Sequence, residues 1–245
     1  MSKLSILGIP VNLVTLAEAV ELSLKAIKER KHFRIMTANA EMIMQAQDHS
    51  ELKFALQKAE LVVADGAGVV WASKEFGTPL KERVPGVDLA YSLLEKAAIE
   101  KIKVFFLGAS AQTVKIAASN MTKKFVGLQI VGVQDGFFQE SEDEKIIEMI
   151  NQSEAEILFV ALGSPKQELW LEKYKEILNP SLRMGVGGTF DVMADQVKRA
   201  PRWMQENSLE WLYRTFGQPS RWKRLIALPK FVLAIKKAKK MDNHS

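Results

Sequence analysis

Asp65 follows an unbroken apolar run, Leu61-Val62-Val63-Ala64, and precedes Gly66 and Gly68. A carboxylate at the carboxyl end of a buried strand is half desolvated, which suits a general base, and the glycines permit a tight turn and close ligand approach. The same position equally suits a helix N-cap. Thr37 and Asn39 stand in the same relation to the apolar residues 33–36: either reads as an N-cap, or as a hydrogen-bond partner for a sugar or a phosphate. Arg83, in Arg83-Val84-Pro85-Gly86-Val87-Asp88, lies in a loop ahead of a helix, where a guanidinium fits a phosphate or carboxylate. Gly108, in Leu107-Gly108-Ala109-Ser110, marks either a helix amino terminus that holds phosphates or an ordinary turn capped by Ser110. Lys166, Gln167 and Glu168 crowd the first turn of a helix opened by Gly163-Ser164-Pro165. A Lys there opposes the helix dipole unless a diphosphate or an acid lies near. Gly187 belongs to a glycine-rich strand end, residues 185–188, that leaves room for a planar base or a sugar and leads to the carboxylate of Asp191.

Several chemistries find no footing. Gly66-x-Gly68-x-x-Trp71 falls short of the dinucleotide fingerprint, because Trp stands where close helix–strand packing wants Gly. No Gly-Lys-Ser/Thr follows the glycines at 185–188, so they form no P-loop, and no Asp-x-Asp at a strand end points to a divalent-metal clamp. The three His are scattered, and the absence of Cys excludes disulfides and thiolate metal sites. Neither a metal nor a cofactor is expected.

The elements that must carry these residues alternate. Apolar runs at 4–8, 33–36, 61–64, 104–107, 129–133, 157–162 and 184–186 read as strands. Helix-period segments lie between them at 39–47, 51–59, 87–99, 111–125, 143–151 and 166–177, with another opened at Thr15 by a capping box to Glu18. The pattern predicts an α/β fold: a mostly parallel, Rossmann-like sheet with helices on both faces, binding ligands outside the carboxyl ends of its strands. A length of 245 residues at 47% hydrophobic composition suits one such domain with an appendage, divided here as 1–195 and 196–245. The opening MSKLSILGIPVN is too short and interrupted for a signal peptide, and no run reaches a membrane-spanning length, so a cytoplasmic protein is expected.

The appendage holds the charge. Residues 199–240 carry eleven Lys and Arg against two acids, on a chain of net charge +5, together with three of the five Trp. Two helices are expected there, 199–216 and 220–240, broken at Gly217-Gln218-Pro219 and bent at Pro229. Leu225, Leu228, Val232 and Ile235 fall on one face and the lysines largely off it, the pattern of an interfacial helix or of one packed on a core with a solvated basic side. A basic, aromatic segment on a mildly acidic body calls for an anionic partner: membrane, diphosphate or nucleic acid.

Taken in order, the segments resemble the WecG/TagA/CpsF glycosyltransferase family. The resemblance rests on Thr37-Ala-Asn39, Asp65-Gly66-Ala-Gly68, Arg83-Val-Pro-Gly86-Val-Asp88, Leu107-Gly108, Gly163-Ser-Pro165-Lys-Gln167-Glu168, Gly185-Val-Gly187-Gly-Thr-Phe-Asp191, Arg199-Ala-Pro201, and Glu210-Trp211-Leu-Tyr-Arg214 with Pro219-Ser-Arg221-x-x-Arg224. It spans almost the whole chain. It departs at Ala194-Asp195, where the family pattern is Ala-Gly and a glycine would allow a positive φ.

The resemblance implies transfer of an N-acetylmannosamine-type sugar from a UDP-sugar donor to a polyprenyl-diphosphate-linked GlcNAc acceptor, the linkage-unit step of wall teichoic acid synthesis. The uronic acid form of the sugar, or another UDP-hexose, is the alternative donor. It further implies an inverting, metal-independent displacement with Asp65 as base and Thr37, Asn39 and Gln167 positioning sugar hydroxyls or the acetamido group. Arg83, Gly108, Gly187 and Asp191 would contact the donor, and Arg214, Arg221 and Arg224 would grip a diphosphate or else form a solvated basic face. The later lysines and their apolar stripe would then sit on the anionic inner face of the cell membrane, and a homo-oligomer is possible. A nucleic-acid-binding module, an oxidoreductase of Rossmann type and a membrane scaffold are the competing classes; the first does not need Asp65, Gln167 and glycine turns at successive strand ends, and nucleic acid is not an expected partner.

Overall fold

The computed structural model describes residues 2–201, 204 and 227–242. Its centre is a parallel six-stranded sheet in the order β4-β3-β8-β7-β5-β6. The strands are β3 (Phe33–Ala38), β4 (Leu61–Ala64), β5 (Lys103–Gly108), β6 (Gln129–Gln134), β7 (Ile157–Ala161) and β8 (Leu182–Gly185). Helices cover both faces, which is why the central strands are apolar on both sides instead of alternating. Val104, Phe106, Ile157 and Phe159 face α1 (Leu16–Lys28), α5 (Gly86–Glu100), α6 (Ala111–Lys124) and α9 (Thr189–Met193). Phe105, Leu107, Leu158 and Val160 face α7 (Asp143–Gln152) and α8 (Lys166–Lys173). Met36 and Val62 face α2 (Ala40–Asp48), α3 (Ser50–Lys58) and α4 (Ala67–Glu75).

Local chemistry accounts for most element ends. Thr15 and Glu18 form the expected capping box at the start of α1. The strand expected over 4–8 is instead a hairpin of β1 (Lys3–Ile6) and β2 (Ile9–Asn12), turned by Leu7 and Gly8 at φ 49° and 81°. Two consecutive left-handed residues match the twist of a two-residue hairpin. The strand expected at 184–186 begins earlier, at Leu182, its start hidden from the apolar pattern by the charge of Arg183. Arg183 is fully buried and donates to the carbonyls of Lys175, Leu178 and Pro180 at 2.6, 2.5 and 2.7 Å. Burial lowers its pKa to about 10, and the three carbonyls supply the partners that an interior guanidinium requires.

The chain leaves β5 toward β6 on one side and β7 toward β8 on the other, so strand order reverses between β5 and β7. Such a reversal opens a crevice at the carboxyl ends.

Beyond residue 204 the described chain resumes in α10 (Ala227–Asp242). Phe231 and Ile235 are completely buried, in one cluster with Ile43, Val69 and Ala72. Leu228 packs partly against the same cluster and Val232 is half-buried. This corrects the expectation that the stripe through Leu228, Val232 and Ile235 lies in a bilayer: that face is packed on α2 and α4. The side left to solvent carries Lys230, Lys236, Lys237 and Lys240, with Leu233 and Met241 exposed among them. Lys239 turns back to pair with Glu75 at 2.9 Å. Leu225, and the expected helix over 199–216 beyond Met204, lie outside the described residues.

Candidate active site

Thr37, Asn39, Asp65, Gln167 and Gly187, separated by up to 150 positions in the chain, line one cavity of about 200 Å³ above the carboxyl ends of β4, β3, β8 and β7. Parallel pairing explains the meeting. Thr37 is opposite Val63 and Ala38 opposite Ala64, so the last residue of β3 and the first beyond β4 emerge together. The Asp65 N–H donates to the Ala38 carbonyl at 2.8 Å and extends the ladder into the loop.

Asp65 does not cap the helix that follows it. The N-cap of α4 is Gly66, at φ 135° with no side-chain bond. The carboxylate reaches across instead: its Oδ2 accepts from the backbone N–H of Gly86, first residue of α5, at 3.2 Å. Pro85 precedes that helix and offers no capping side chain, so Asp65 supplies the cap from another segment and meets the positive end of a 15-residue helix. A side chain at Gly86 would meet Thr37 Cγ2 at 3.0 Å, so Thr37, Asp65 and the start of α5 are mutually fitted.

Asn39 carries both of its sequence readings. It is the N-cap of α2, Oδ1 accepting from Met42 at 2.9 Å, and it lines the cavity. The cap uses the carbonyl oxygen and leaves the amide nitrogen as the donor for a ligand. Gln167 is 3% exposed. Its Oε1 accepts from the Gly187 N–H at 3.1 Å, and its Nε2 donates to Glu168 Oε1 at 2.7 Å. Gly187 holds φ 50°, a left-handed conformation suited to glycine. The Ser164–Pro165 peptide at the mouth of α8 is cis.

Glu41, Gln45, Ser164 and Thr189 also line the cavity and were not singled out in the sequence. Glu41 and Gln45 are four residues apart on α2, hence on one face, and they share that helix with the cap Asn39; the spacing was the available signal. Burial pushes the carboxyl of Glu168 up from its ordinary value, an effect only partly offset by the hydrogen bond from Gln167.

The remaining expected site residues are placed elsewhere. Arg83 is on the loop that carries Pro85 and Gly86 but not on the cavity wall. Gly108 serves packing: at φ 123°, a Cβ there would stand 2.4 Å from the carbonyl oxygen of Ala161. Ser110 is the cap of α6, accepting from Thr113 at 3.1 Å. Both border the crevice between β5 and β7. Gly68, expected to admit a ligand, has Ala40 of α2 and Phe231 and Leu228 of α10 against it. Asp191 lies in α9, where its carbonyl accepts from Gln196 and Val197, and does not reach the cavity wall. Asp195, in place of the expected glycine, does adopt a positive φ, 56°, and accepts from Asn120 Nδ2 at 3.1 Å. Arg199 pairs with Asp88 at 2.7 Å, so two of the sequence motifs meet at the start of α5. Arg214, Arg221 and Arg224 lie outside the described residues.

Residues 4–244 match the model of the glycosyl transferase WecG/TagA/CpsF family. A protein of Bacillus spizizenii named N-acetylglucosaminyldiphosphoundecaprenol N-acetyl-beta-D-mannosaminyltransferase is 36% identical over 211 residues, 86% of this chain and 81% of that protein. A protein of Bacillus subtilis with the same name is 33% identical over 206 residues, covering 84% and 80%.

Proposed function

This chain belongs to the WecG/TagA/CpsF family of glycosyltransferases, and from that premise we propose that it moves N-acetylmannosamine from UDP-ManNAc to the 4-hydroxyl of GlcNAc on undecaprenyl-diphosphate-GlcNAc. The observation that carries this reading is the convergence of Asp65, Thr37, Asn39, Gln167 and Gly187 on one cavity at the strand carboxyl ends.

In this reading Asp65 takes the proton of the acceptor hydroxyl as that oxygen attacks the anomeric carbon from the face opposite UDP. The bond from the anomeric carbon to the diphosphate breaks, and UDP leaves with the electron pair. One displacement inverts the anomeric configuration. The Gly86 N–H holds the carboxylate in place at the cavity wall. Thr37, Asn39 and Gln167 hold sugar oxygens or the acetamido group, and the glycine-rich turn at 185–188 admits the sugar beside the backbone. The nucleotide extends toward the β5/β7 crevice, with Gly108, Asp191 and Arg83 near its path. The transfer is metal-independent, so charge on the departing diphosphate is met by N–H donors and cations. Arg214, Arg221 and Arg224 are those cations. The segment 196–245 thereby completes a site built on 1–195, and the packing of Leu228 and Phe231 against Gly68 supports this by tying α10 to the Asp65 loop.

The acceptor is a membrane lipid. Among the described residues no helix is long and apolar enough to cross a membrane, and in this reading the enzyme meets that lipid peripherally, from the inner face. The exposed side of α10, with Lys230, Lys236, Lys237, Lys240 and Leu233, supplies the contact with anionic headgroups, worth about 1 kcal/mol per Lys.

Incubation of the purified protein with UDP-ManNAc and a short-chain lipid-diphosphate-GlcNAc tests the proposal. It predicts UDP release in step with a disaccharide-lipid whose new linkage is β by NMR, undiminished by a chelator. Release that requires no acceptor, or an α product, would contradict it. Vesicle co-sedimentation that fails to weaken in K236E/K237E would remove the α10 contact.

A further inference from the structure

Gln167 and Glu168 are neighbours in the first turn of α8, with side chains 3% and 1% exposed. Successive helical residues do not ordinarily face one another, yet Gln167 Nε2 donates to Glu168 Oε1 at 2.7 Å. On its other side the amide carbonyl accepts from the Gly187 N–H at 3.1 Å. Together these two bonds fix which end of the amide is which. Turned over, it would set NH2 against the Gly187 N–H and a carbonyl against the carboxyl oxygen. The amide therefore has one N–H committed to Glu168 and a second left over. Gln167 lines the cavity and Glu168 stands behind it, off the wall. The space for this arrangement is provided by Gly185: a Cβ there would lie 2.7 Å from Gln167 Nε2.

Glu168 makes no ion pair among the described residues, and its Oε2 has no hydrogen-bond partner. A carboxylate left in that state is costly, and burial accordingly favours its protonated form. The carboxyl does not need its charge to do what the geometry asks, since Oε1 accepts from Gln167 in either form.

We propose that Glu168 is a positioning residue, which clamps the Gln167 amide between itself and Gly187 so that the remaining Nε2 proton is presented to an oxygen of the bound sugar, a hydroxyl or the acetamido carbonyl. The proposal rests on the glycosyltransferase reading of the cavity.

The test uses the full chain and the variants E168Q, E168A, Q167A and Q167A/E168A. A Gln at 168 keeps an acceptor for Gln167 Nε2, so E168Q retains kcat/KM within about threefold, whereas E168A, which frees the amide, loses about a hundredfold, the scale of a misplaced contact group. On the Q167A background E168A adds no further loss, because the residue acts through Gln167. Equal damage from E168Q and E168A, or a full additional loss in the double variant, overturns the proposal. Heteronuclear NMR gives a readout free of turnover. The two Gln167 side-chain amide protons remain inequivalent and slowly exchanging in the native protein and E168Q, and exchange fast in E168A; unchanged exchange in E168A overturns the clamp. A native protein with slow amide exchange but no sugar transfer would sink the glycosyltransferase reading and leave the clamp standing.

Discussion

Arg199 meets Asp88 at 2.7 Å, and this pair ties the start of the C-terminal segment to α5 two residues beyond Gly86, whose N–H holds Asp65. The pair is roughly two-thirds shielded from solvent, more than a surface ion pair and less than an interior one. Asp88→Ala and Arg199→Ala are each expected to lower stability by about 1 kcal/mol. The double variant should cost less than the sum, since each change removes the same contact. Thermal unfolding of the four proteins checks this, and strict additivity would mean that the two motifs are not coupled.

Asp195 sits at φ 56°, a conformation that costs an L-residue roughly 1 kcal/mol, while its bond from Asn120 returns about as much. Asp195→Gly removes both and should leave stability within about 1 kcal/mol of the native chain. Asp195→Ala keeps the strain and loses the bond, and should be the less stable of the two in denaturant titration. Neither change should alter sugar transfer, because Asp195 is not on the cavity wall.

Phe231 is fully buried between α10, α2 and α4. Phe231→Ala should cost roughly 3–5 kcal/mol. If α10 were held only by a bilayer, the same change would leave the stability of the protein in detergent-free buffer untouched, so chemical denaturation without lipid separates the two cases.

Glu168 gives a pH dependence whose sign is set by burial. Its folded pKa lies above the ordinary 4.5. The folded state therefore holds a proton that the unfolded state has released. The resulting stability is fully present below 4.5 and declines as pH rises through the folded value. Glu168→Gln abolishes that decline. Its melting temperature should exceed that of the native protein by an amount that grows from pH 4.5 upward and vanishes below it. A constant offset would contradict the burial argument.

The parallel sheet was readable because strands covered on both faces are continuous apolar runs: 61–64 and 157–161 are apolar throughout. β2 escaped because Pro10 reads as a break, although an antiparallel hairpin accommodates it opposite Ser5. α4 escaped because Gly66 and Gly68, at and just beyond its N-cap, read as turn. The stripe on α10 was visible, but periodicity reports that a face is buried and not what buries it; the core claimed it. At the site, Thr37, Asn39 and Asp65 were legible from their position after the apolar runs of β3 and β4, and Gly187 from the glycine-rich end of β8. Arg83, chosen as a guanidinium in a loop ahead of a helix, and Gly108 and Asp191, chosen at turns after apolar runs, are not on the cavity wall, since sequence does not tell which side of a turn a residue takes. Asp65 capping α5 from a distant segment could not be read at all, because nothing local marks it.

In the proposed mechanism Asp65 removes the acceptor proton while the Gly86 N–H holds it in place. The direct measurement is UDP release by Asp65→Asn beside the native protein, with UDP-ManNAc and the lipid-diphosphate-GlcNAc acceptor, once unfolding curves show both are folded. Asn retains an oxygen for the Gly86 N–H but cannot take a proton, so a loss of about 10²–10⁴-fold in kcat is expected, with donor KM little changed. Turnover by Asp65→Asn at the native rate would contradict it.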